Sequence, residues 1–401
     1  MTKIANIVNY AKWLFNMKIF RERIKKVREN LAKQNLDAIF VSNVANIIYL
    51  TGFSNFSQEE REAYLIITKD EQFIITDGRY TEAVKKSVPH FELLERSSIN
   101  RLKDIFAKFN NIRVLGIEED NLTVAEYKFV KKYFKQFKNV DLNTNREIKD
   151  KEEIVKITKA CQLGDQLFDY ILKKIRVGVT EKEIAWEMEK FVKKNNAQFS
   201  FDPIIAFGAN SSVPHHQTGN TRLGSSTPSG RSGRGELVLL DFGVRFENYC
   251  SDMTRTIFFG KPTDKQTEIY QTVLEVQTKA VEFIKAKLKA NQPVRINDVD
   301  KVAREYILSK NYPDIPHSLG HGIGLQVHEY PYLSAGVKEN LEEGMVFSIE
   351  PGIYLPAGRQ GLEGIGSPRS EAGGVRIEDL FLISDKGLIK LTKSGSKLLI
   401  V

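Results

Sequence analysis

The chain has 401 residues, of which 41% are hydrophobic and 27% are charged, which is ordinary for a folded globular protein of two or three domains. Its net charge of +8 does not predict a nucleic-acid partner, because the basic residues alternate with acidic ones along predicted helix surfaces. No run of 18 apolar residues is present, which excludes a membrane-spanning helix, and only two cysteines predict a reducing compartment, the cytoplasm.

The first part of the chain predicts an α/β domain. A helix is expected near residues 18–35, because its apolar positions keep a spacing of three or four residues. Strands follow in the segments DAIFVSN, YLIIT and QFIITD, and further alternation of helices and strands continues to about residue 140. The polar run NTNREIKDKEE then marks a domain boundary.

The second part predicts two rounds of helices followed by strands. A long apolar-periodic helix opens it, and Thr180 and Glu183 form the capping-box pattern of the next helix. Strands come next, then helices at 264–289 and 297–310, then strands again. This order predicts a pseudo-symmetric α+β domain.

Five residues with metal-binding side chains lie in distinctive motifs of this second part. They are Asp241, Asp252, His321, Glu350 and Glu378. An oxygen-rich set with a single imidazole suits a pair of divalent cations, because a carboxylate can bridge two ions while its charge offsets their repulsion. The sequence therefore predicts a two-metal hydrolase.

The first two of these acids flank a predicted hairpin. The β-rich runs LVLLDFGVRF and YCSDMTRTIFF surround a short turn near Glu247 and Asn248. A two-residue turn would place Asp241 and Asp252 on one face, whereas a bulge or a three-residue turn would separate them. Because the flanking residues are apolar, acids buried there need a cation or a donor.

Histidines cluster near these acids. His317, His321 and His328 lie within one glycine-rich stretch of twelve residues, and His215 and His216 follow an aliphatic stretch. The glycine string lacks the Lys-Ser/Thr that ends a phosphate-binding loop, so nucleotide binding is disfavoured. The clustering favours catalytic chemistry.

The motifs ANSSVPHH, DFG with CSDMTRT, GHGIG with VHE, IEPGIY and GGVRIED resemble those of the pita-bread metallopeptidases, family M24. The resemblance is narrowest with the branch of Xaa-Pro aminopeptidases (aminopeptidase P) and Xaa-Pro dipeptidases (prolidases). It implies an α/β creatinase-like N-terminal domain at residues 17–145 and an α+β pita-bread (creatinase/aminopeptidase) catalytic domain at residues 151–401. Met17 matches the start of related chains, so we interpret residues 1–16 as a start-site extension.

The resemblance also implies a metal centre. Two divalent ions, most simply Mn²⁺, with Co²⁺, Fe²⁺ or Zn²⁺ as alternatives, would be held by the five residues named above. Asp252 and Glu378 would bridge both ions, and a hydroxide held between them would be the nucleophile. Glu350 would also accept the proton of that water.

Further positions match residues that assist the reaction. His215 corresponds to the contact with the scissile nitrogen, and His328 corresponds to the donor to the carbonyl oxygen. His317 and Arg376 match positions that support the ligands, and Arg376 would hold a ligand carboxylate in its charged form. No role is implied for His216.

The activity expected from the resemblance is that of an Xaa-Pro aminopeptidase, acting on proline-containing peptides as a homodimer. The alternative is an Xaa-Pro dipeptidase. A non-catalytic binding protein on the same fold is less favoured, because all five ligands and both assisting histidines are retained. A creatinase-like amidinohydrolase is disfavoured, since such proteins do not keep the whole metal set.

Two segments, 219–235 and 357–374, are longer than in related chains and rich in Gly, Ser and Arg. They predict flexible loops near the mouth of the cleft. Their arginines could attract a peptide carboxylate, although solvated loop charge is the favoured explanation. These are Arg222, Arg231, Arg234, Arg359 and Arg369.

Overall fold

The computed structural model describes residues 2–57, 59–224, 235–356 and 372–401, with side chains described from residue 17 onward. Backbone packing divides the chain into two compact units, Met1–Arg146 and Glu147–Val401. Over the described ranges, none of the helices combines the length and apolar character needed to cross a bilayer. Of the loop arginines considered above, only Arg222 lies within the described ranges.

The first unit is built on a mixed six-stranded sheet. Its helices are α1 (Thr2–Lys33), α2 (Val44–Thr51), α3 (Thr81–Ser87), α4 (Leu102–Phe106) and α5 (Val124–Val130). Its strands are β1 (Ala38–Val41), β2 (Tyr64–Thr68), β3 (Gln72–Asp77), β4 (Glu92–Arg96), β5 (Val114–Ile117) and β6 (Gln136–Asn139). They lie in the order β4-β3-β2-β1-β5-β6, with β2 antiparallel to both neighbours and the other pairs parallel.

Helix α1 differs from the predicted helix at both ends. It begins at Thr2 instead of near residue 18, because residues 2–17 contain no glycine or proline that would interrupt it. It ends at Lys33, two residues before the predicted end, because Asn35 adopts a left-handed conformation with φ of 53°. The predicted apolar face is nonetheless the buried one, since Ile24 and Leu31 are buried.

The second unit contains two helix pairs and several small sheets. Its helices are α6 (Lys151–Leu172), α7 (Glu181–Lys194), α8 (Asp264–Lys289) and α9 (Ile296–Ser309). Between the helix pairs lie β7 (Gln198–Phe199), β8 (Ile204–Phe207), β9 (Glu236–Phe242), β10 (Val244–Phe246), β11 (Tyr249–Cys250) and β12 (Met253–Phe259). After α8 come β13 (Val294–Arg295), β14 (Gly320–Gly322), β15 (Glu329–Leu333), β16 (Asn340–Leu341), β17 (Val346–Ile349), β18 (Gly352–Leu355), β19 (Gly373–Arg376), β20 (Asp379–Ser384) and β21 (Gly387–Lys390).

These strands form two comparable helix-on-sheet halves, as the order of predicted elements indicated. In the first half α6 and α7 pack against the sheet β12-β9-β8, with Leu167 and Ile184 in the same core as Leu240. In the second half α8 and α9 share a core with the sheet β15-β14-β17-β20-β21, where Val276 and Phe347 are buried. Each half therefore buries the apolar stripe of its helices against its own strands.

The two halves meet along β12. The backbone N–H of Glu378 donates to the Thr254 carbonyl oxygen at 3.1 Å. The hydroxyl of Thr256 donates to the Arg376 carbonyl oxygen at 3.0 Å and accepts from the Arg376 N–H at 3.2 Å. This junction brings residues from the end of the chain beside the hairpin that carries Asp252.

Candidate metal centre

The predicted hairpin register is confirmed. Glu247 and Asn248 form the turn with φ of 44° and 74°, the left-handed pair that a two-residue hairpin loop requires. Asp241 lies opposite Thr254, and the same register continues through the turn. Asp252 is therefore diagonal to Asp241, and both carboxylates point to one face of the hairpin.

Three side chains from distant parts of the second unit converge there. Ligand atoms of Asp252, His321 and Glu378 all lie within 4.8 Å of one another, and all three residues are buried. His321 sits in β14, where Gly320 is needed because a Cβ at that position would clash with the Ser348 carbonyl of β17. The close strand approach therefore directs the imidazole towards the two acids.

The other two predicted ligands lie beside this group. Glu350 directly follows β17, and its Oε1 is 3.2 Å from His321 Nε2 and accepts from the Ser348 hydroxyl at 3.1 Å. Asp241 Oδ2 lies 2.5 Å from Arg376 Nη2. The five predicted ligands therefore line one cavity of about 530 Å³.

Burial and the closeness of the carboxylates to one another make ionisation of these acids unfavourable. Burial first, and then the neighbouring carboxylates, raise the pKa of Asp252 and of Glu378 well above their usual values. Burial also raises the pKa of Asp241, although the Arg376 guanidinium opposes that shift. A positive charge placed among these groups would relieve both effects.

The pKa values of His321 and Glu350 are shifted in opposite directions. Burial by itself would lower the pKa of His321, but its hydrogen bond to Glu350 and the surrounding negative charges raise it to about 9. Burial by itself would raise the pKa of Glu350, but the hydrogen bond and charge of His321 hold it at about 2. In this structure the protonated imidazole thus supplies part of the positive charge that the acids need.

The donor set fits divalent cations. Three buried oxygens, Asp241 Oδ1, Asp252 Oδ1 and Glu378 Oε1, have no hydrogen-bond partner within the part of the chain that the structure describes. A buried carboxylate oxygen without a donor is costly unless a cation pairs with it. Four carboxylates with one imidazole are the ligands that hard and borderline divalent ions accept.

The remaining predicted residues surround the same cavity. His215, His317, His328 and Arg376 all line it, together with apolar side chains. These apolar residues are Phe201, Ile204, Pro214, Val327 and Tyr332. The His328 ring lies edge-on to His321 with centroids 4.3 Å apart. The cavity therefore combines charged ligands on one side with an apolar wall.

Tyr354, in the IEPGIY motif, is a residue whose role the sequence did not reveal. Arg376 Nη1 donates to its hydroxyl at 2.9 Å, and that hydroxyl lies 2.9 Å from His317 Nε2. His317 Nδ1 is 2.8 Å from the Ser318 carbonyl, which can only accept. Nδ1 therefore carries the proton and Nε2 accepts from the tyrosine. The chain of donors keeps Arg376 directed at Asp241.

A buried cluster of carboxylates and a histidine between two helix-on-sheet halves is typical of metal-dependent hydrolases. The chain belongs to metallopeptidase family M24, whose profile matches residues 155–385. Residues 23–148 match the creatinase/prolidase N-terminal domain. The chain is thus a metal-dependent peptidase with a creatinase-type α/β unit followed by a pita-bread catalytic unit, which confirms the predicted fold class.

Its relatives place it in the Xaa-Pro branch of that family. The chain is 35% identical over 384 residues to the Xaa-Pro dipeptidase of Pyrococcus furiosus, covering 94% of this chain and 100% of the relative. The structure of an Xaa-Pro dipeptidase from Bacillus anthracis is 33% identical with a TM-score of 0.82, covering 95% of this chain and 100% of that one. The structure of an X-Pro aminopeptidase from Thermotoga maritima is 31% identical with a TM-score of 0.76, covering 92% of this chain and 98% of that one.

Proposed function

We propose that this protein is an Xaa-Pro dipeptidase, which hydrolyses the bond before the proline of a dipeptide. The observation that carries hydrolysis is the buried group of Asp252, His321 and Glu378, whose unpaired carboxylate oxygens line a cavity. The names of full-length relatives favour the dipeptidase over the aminopeptidase, which was the activity first expected from the family resemblance. The X-Pro aminopeptidase among the solved relatives makes the latter the alternative to test.

The proposed substrate explains the arrangement of the site. A bond before proline has no N–H, so the backbone hydrogen bonds used by general peptidases cannot form, and the ring fixes φ. Polarisation of the carbonyl by cations does not need that N–H. Side chains that act on the carbonyl oxygen and on the nitrogen can supply the remaining assistance.

We propose that two divalent ions, Mn²⁺ in the simplest case, are held by the four acids and the imidazole of the centre. The proposed ligands are Asp241, Asp252, His321, Glu350 and Glu378. When bound, the ions supply Lewis-acid polarisation of the peptide carbonyl and lower the pKa of water towards neutrality. Arg376 favours the charged form of Asp241, which a ligand requires, through the contact of 2.5 Å.

The chain's own groups would move the protons. Glu350, whose carboxylate lines the cavity beside His321, would accept a proton from the attacking water. Partial burial, and then the nearby His321, lower the pKa of His328. A ring N–H of His328 would donate to the carbonyl oxygen of the substrate. His215 is exposed in the cavity wall and would contact the scissile nitrogen.

Turnover of two substrates tests the proposal. The purified protein is reconstituted with Mn²⁺ and offered Gly-Pro and Gly-Pro-Ala-Ala separately. Cleavage of Gly-Pro with little or no cleavage of the tetrapeptide is expected. Efficient release of glycine from the tetrapeptide would instead establish the aminopeptidase, and turnover of neither substrate would refute both assignments.

We make three further proposals about the whole protein. The N-terminal domain is residues 17–145 and the catalytic domain is residues 151–401, which the two compact units and the two family matches support. A cytoplasmic location is supported by two buried cysteines that form no disulfide. The homodimer stays a prediction from the resemblance.

A further inference from the structure

The side chain of Glu181 is an acceptor that the sequence did not single out. It is the first residue of α7 and is 0% exposed. Its Oε1 accepts from the Phe207 N–H at 2.9 Å and from Asn210 Nδ2 at 2.8 Å. Its Oε2 accepts from His216 Nε2 at 3.0 Å and from the Gly219 N–H at 2.8 Å. One buried carboxylate therefore accepts four hydrogen bonds from a single segment, residues 207–219.

This segment, which we call the PHH loop, carries His215 and His216. The two histidines have different surroundings: His216 contacts Glu181, whereas His215 lines the proposed substrate cavity. The loop is also tied to β19, because the Gly374 N–H donates to the Ser211 hydroxyl at 2.8 Å. The position of His215 is thus set by contacts that its neighbours make.

Glu181 is not needed to cap α7. The capping box of that helix is formed by Thr180 and Glu183, whose side chains each accept from the other's backbone N–H. The Glu181 carboxylate is therefore available for the loop. Because α7 packs in the core through Ile184 and Met188, the carboxylate stands on a rigid element.

We propose that Glu181, acting with His216, is a positioning residue that fixes the PHH loop and so holds His215 at the scissile bond. The inference rests on the proposed function, since it needs His215 to contact the substrate. Removing the carboxylate would leave buried donors unpaired, which a loop relieves by moving. A displacement of about 1 Å in a group that contacts the reacting atoms can reduce the rate about 100-fold.

The decisive variant is Glu181→Gln, because its amide nitrogen cannot accept a hydrogen bond and so faces two donors of the loop. Glu183→Gln is the matched control, since it alters the same helix terminus without touching the loop. A second variant, His216→Gln, retains an N–H donor towards Glu181 and tests whether the imidazole itself is required. Metal content is measured for each protein, so that loss of ions is separated from loss of positioning.

Two readouts distinguish positioning from a purely structural role. Hydrogen–deuterium exchange in residues 207–219 is expected to rise in Glu181→Gln and to stay at the wild-type level in Glu183→Gln. The kcat of Glu181→Gln on Gly-Pro is expected to fall about tenfold or more, with unchanged metal content. In a His215→Ala background the same substitution should change kcat less than about twofold, because the group that it positions is absent.

Unchanged exchange in Glu181→Gln would overturn the proposal, as would an equal fall in kcat with and without His215. An equal rise in exchange in Glu183→Gln would also overturn it, because the effect would then belong to the helix terminus. If the wild-type protein cleaves no Xaa-Pro peptide, the proposed function fails. The exchange measurement still decides in that case whether Glu181 holds the loop.

Discussion

Replacing Asp252 with asparagine should make the metal-free protein more stable, although the change removes a proposed metal ligand. In the metal-free protein Asp252 is buried beside Glu378 and Asp241, and the pKa of its carboxyl is raised well above the ordinary value of 3.8. The folded state therefore resists the ionisation that the unfolded chain undergoes freely. An asparagine side chain has no charge to bury.

The size of the effect follows from proton linkage. Between pH 3.8 and the raised pKa of the folded state, the folded protein holds one proton more than the unfolded chain. The free energy of unfolding then falls by about 1.4 kcal/mol for each pH unit through this group. The contribution of Asp252 to the free energy of unfolding is therefore fully present below pH 3.8. It is lost as the pH rises towards the pKa of Asp252 in the folded state.

Urea unfolding of chelator-treated protein at several pH values measures this slope. Asp252→Asn should show a shallower fall in the free energy of unfolding as the pH rises above 3.8, and it should be more stable than the wild-type protein at pH 7. Asp385→Asn, at an exposed position of the second unit, is the matched control and should leave the slope unchanged. A metal-free Asp252→Asn protein that is less stable than wild type at pH 7, or that keeps the wild-type slope, would refute the reasoning.

Two further variants test a buried ion pair of the second unit and one histidine of the cavity. Lys149→Met should lower the free energy of unfolding by about 3 kcal/mol, because Lys149 Nζ lies 3.5 Å from Glu329 Oε2 and both side chains are buried. Denaturant titration measures this change. Adding Glu329→Gln to Lys149→Met should recover part of the lost free energy of unfolding. If it recovers none, the cause is not electrostatic. His328→Ala should reduce kcat about 100-fold with little change in KM. Steady-state kinetics on Gly-Pro check this, and a rise in KM at constant kcat would mean that His328 binds substrate without acting on the carbonyl oxygen.

Local elements of the site could be predicted from the sequence because their causes are local. A two-residue turn at Glu247 and Asn248 sets the hairpin register, so the shared face of Asp241 and Asp252 followed from counting residues. The capping box of Thr180 and Glu183 was equally visible. Such features depend on residues a few positions apart, whose geometry the backbone fixes.

Contacts between distant segments could not be predicted in this way. The junction of Thr254 with Glu378 joins residues far apart in the chain, and only the family resemblance suggested that they meet. Glu181 resembled an ordinary acid at a helix N-terminus, and its four donors became visible only once the PHH loop was folded around it. The presence of a second histidine with no assigned role was the one signal that pointed there. No motif distinguished a dipeptidase from an aminopeptidase.

The central claim is that side chains from both halves of the catalytic unit hold two divalent ions in one buried site. Anomalous diffraction from crystals of the Mn²⁺-reconstituted protein, with metal content measured on the same sample, tests it most directly. We predict two Mn²⁺ ions per chain, both within coordination distance of Asp252 and Glu378. Fewer than two ions, or ions bound away from these two carboxylates, would contradict the account.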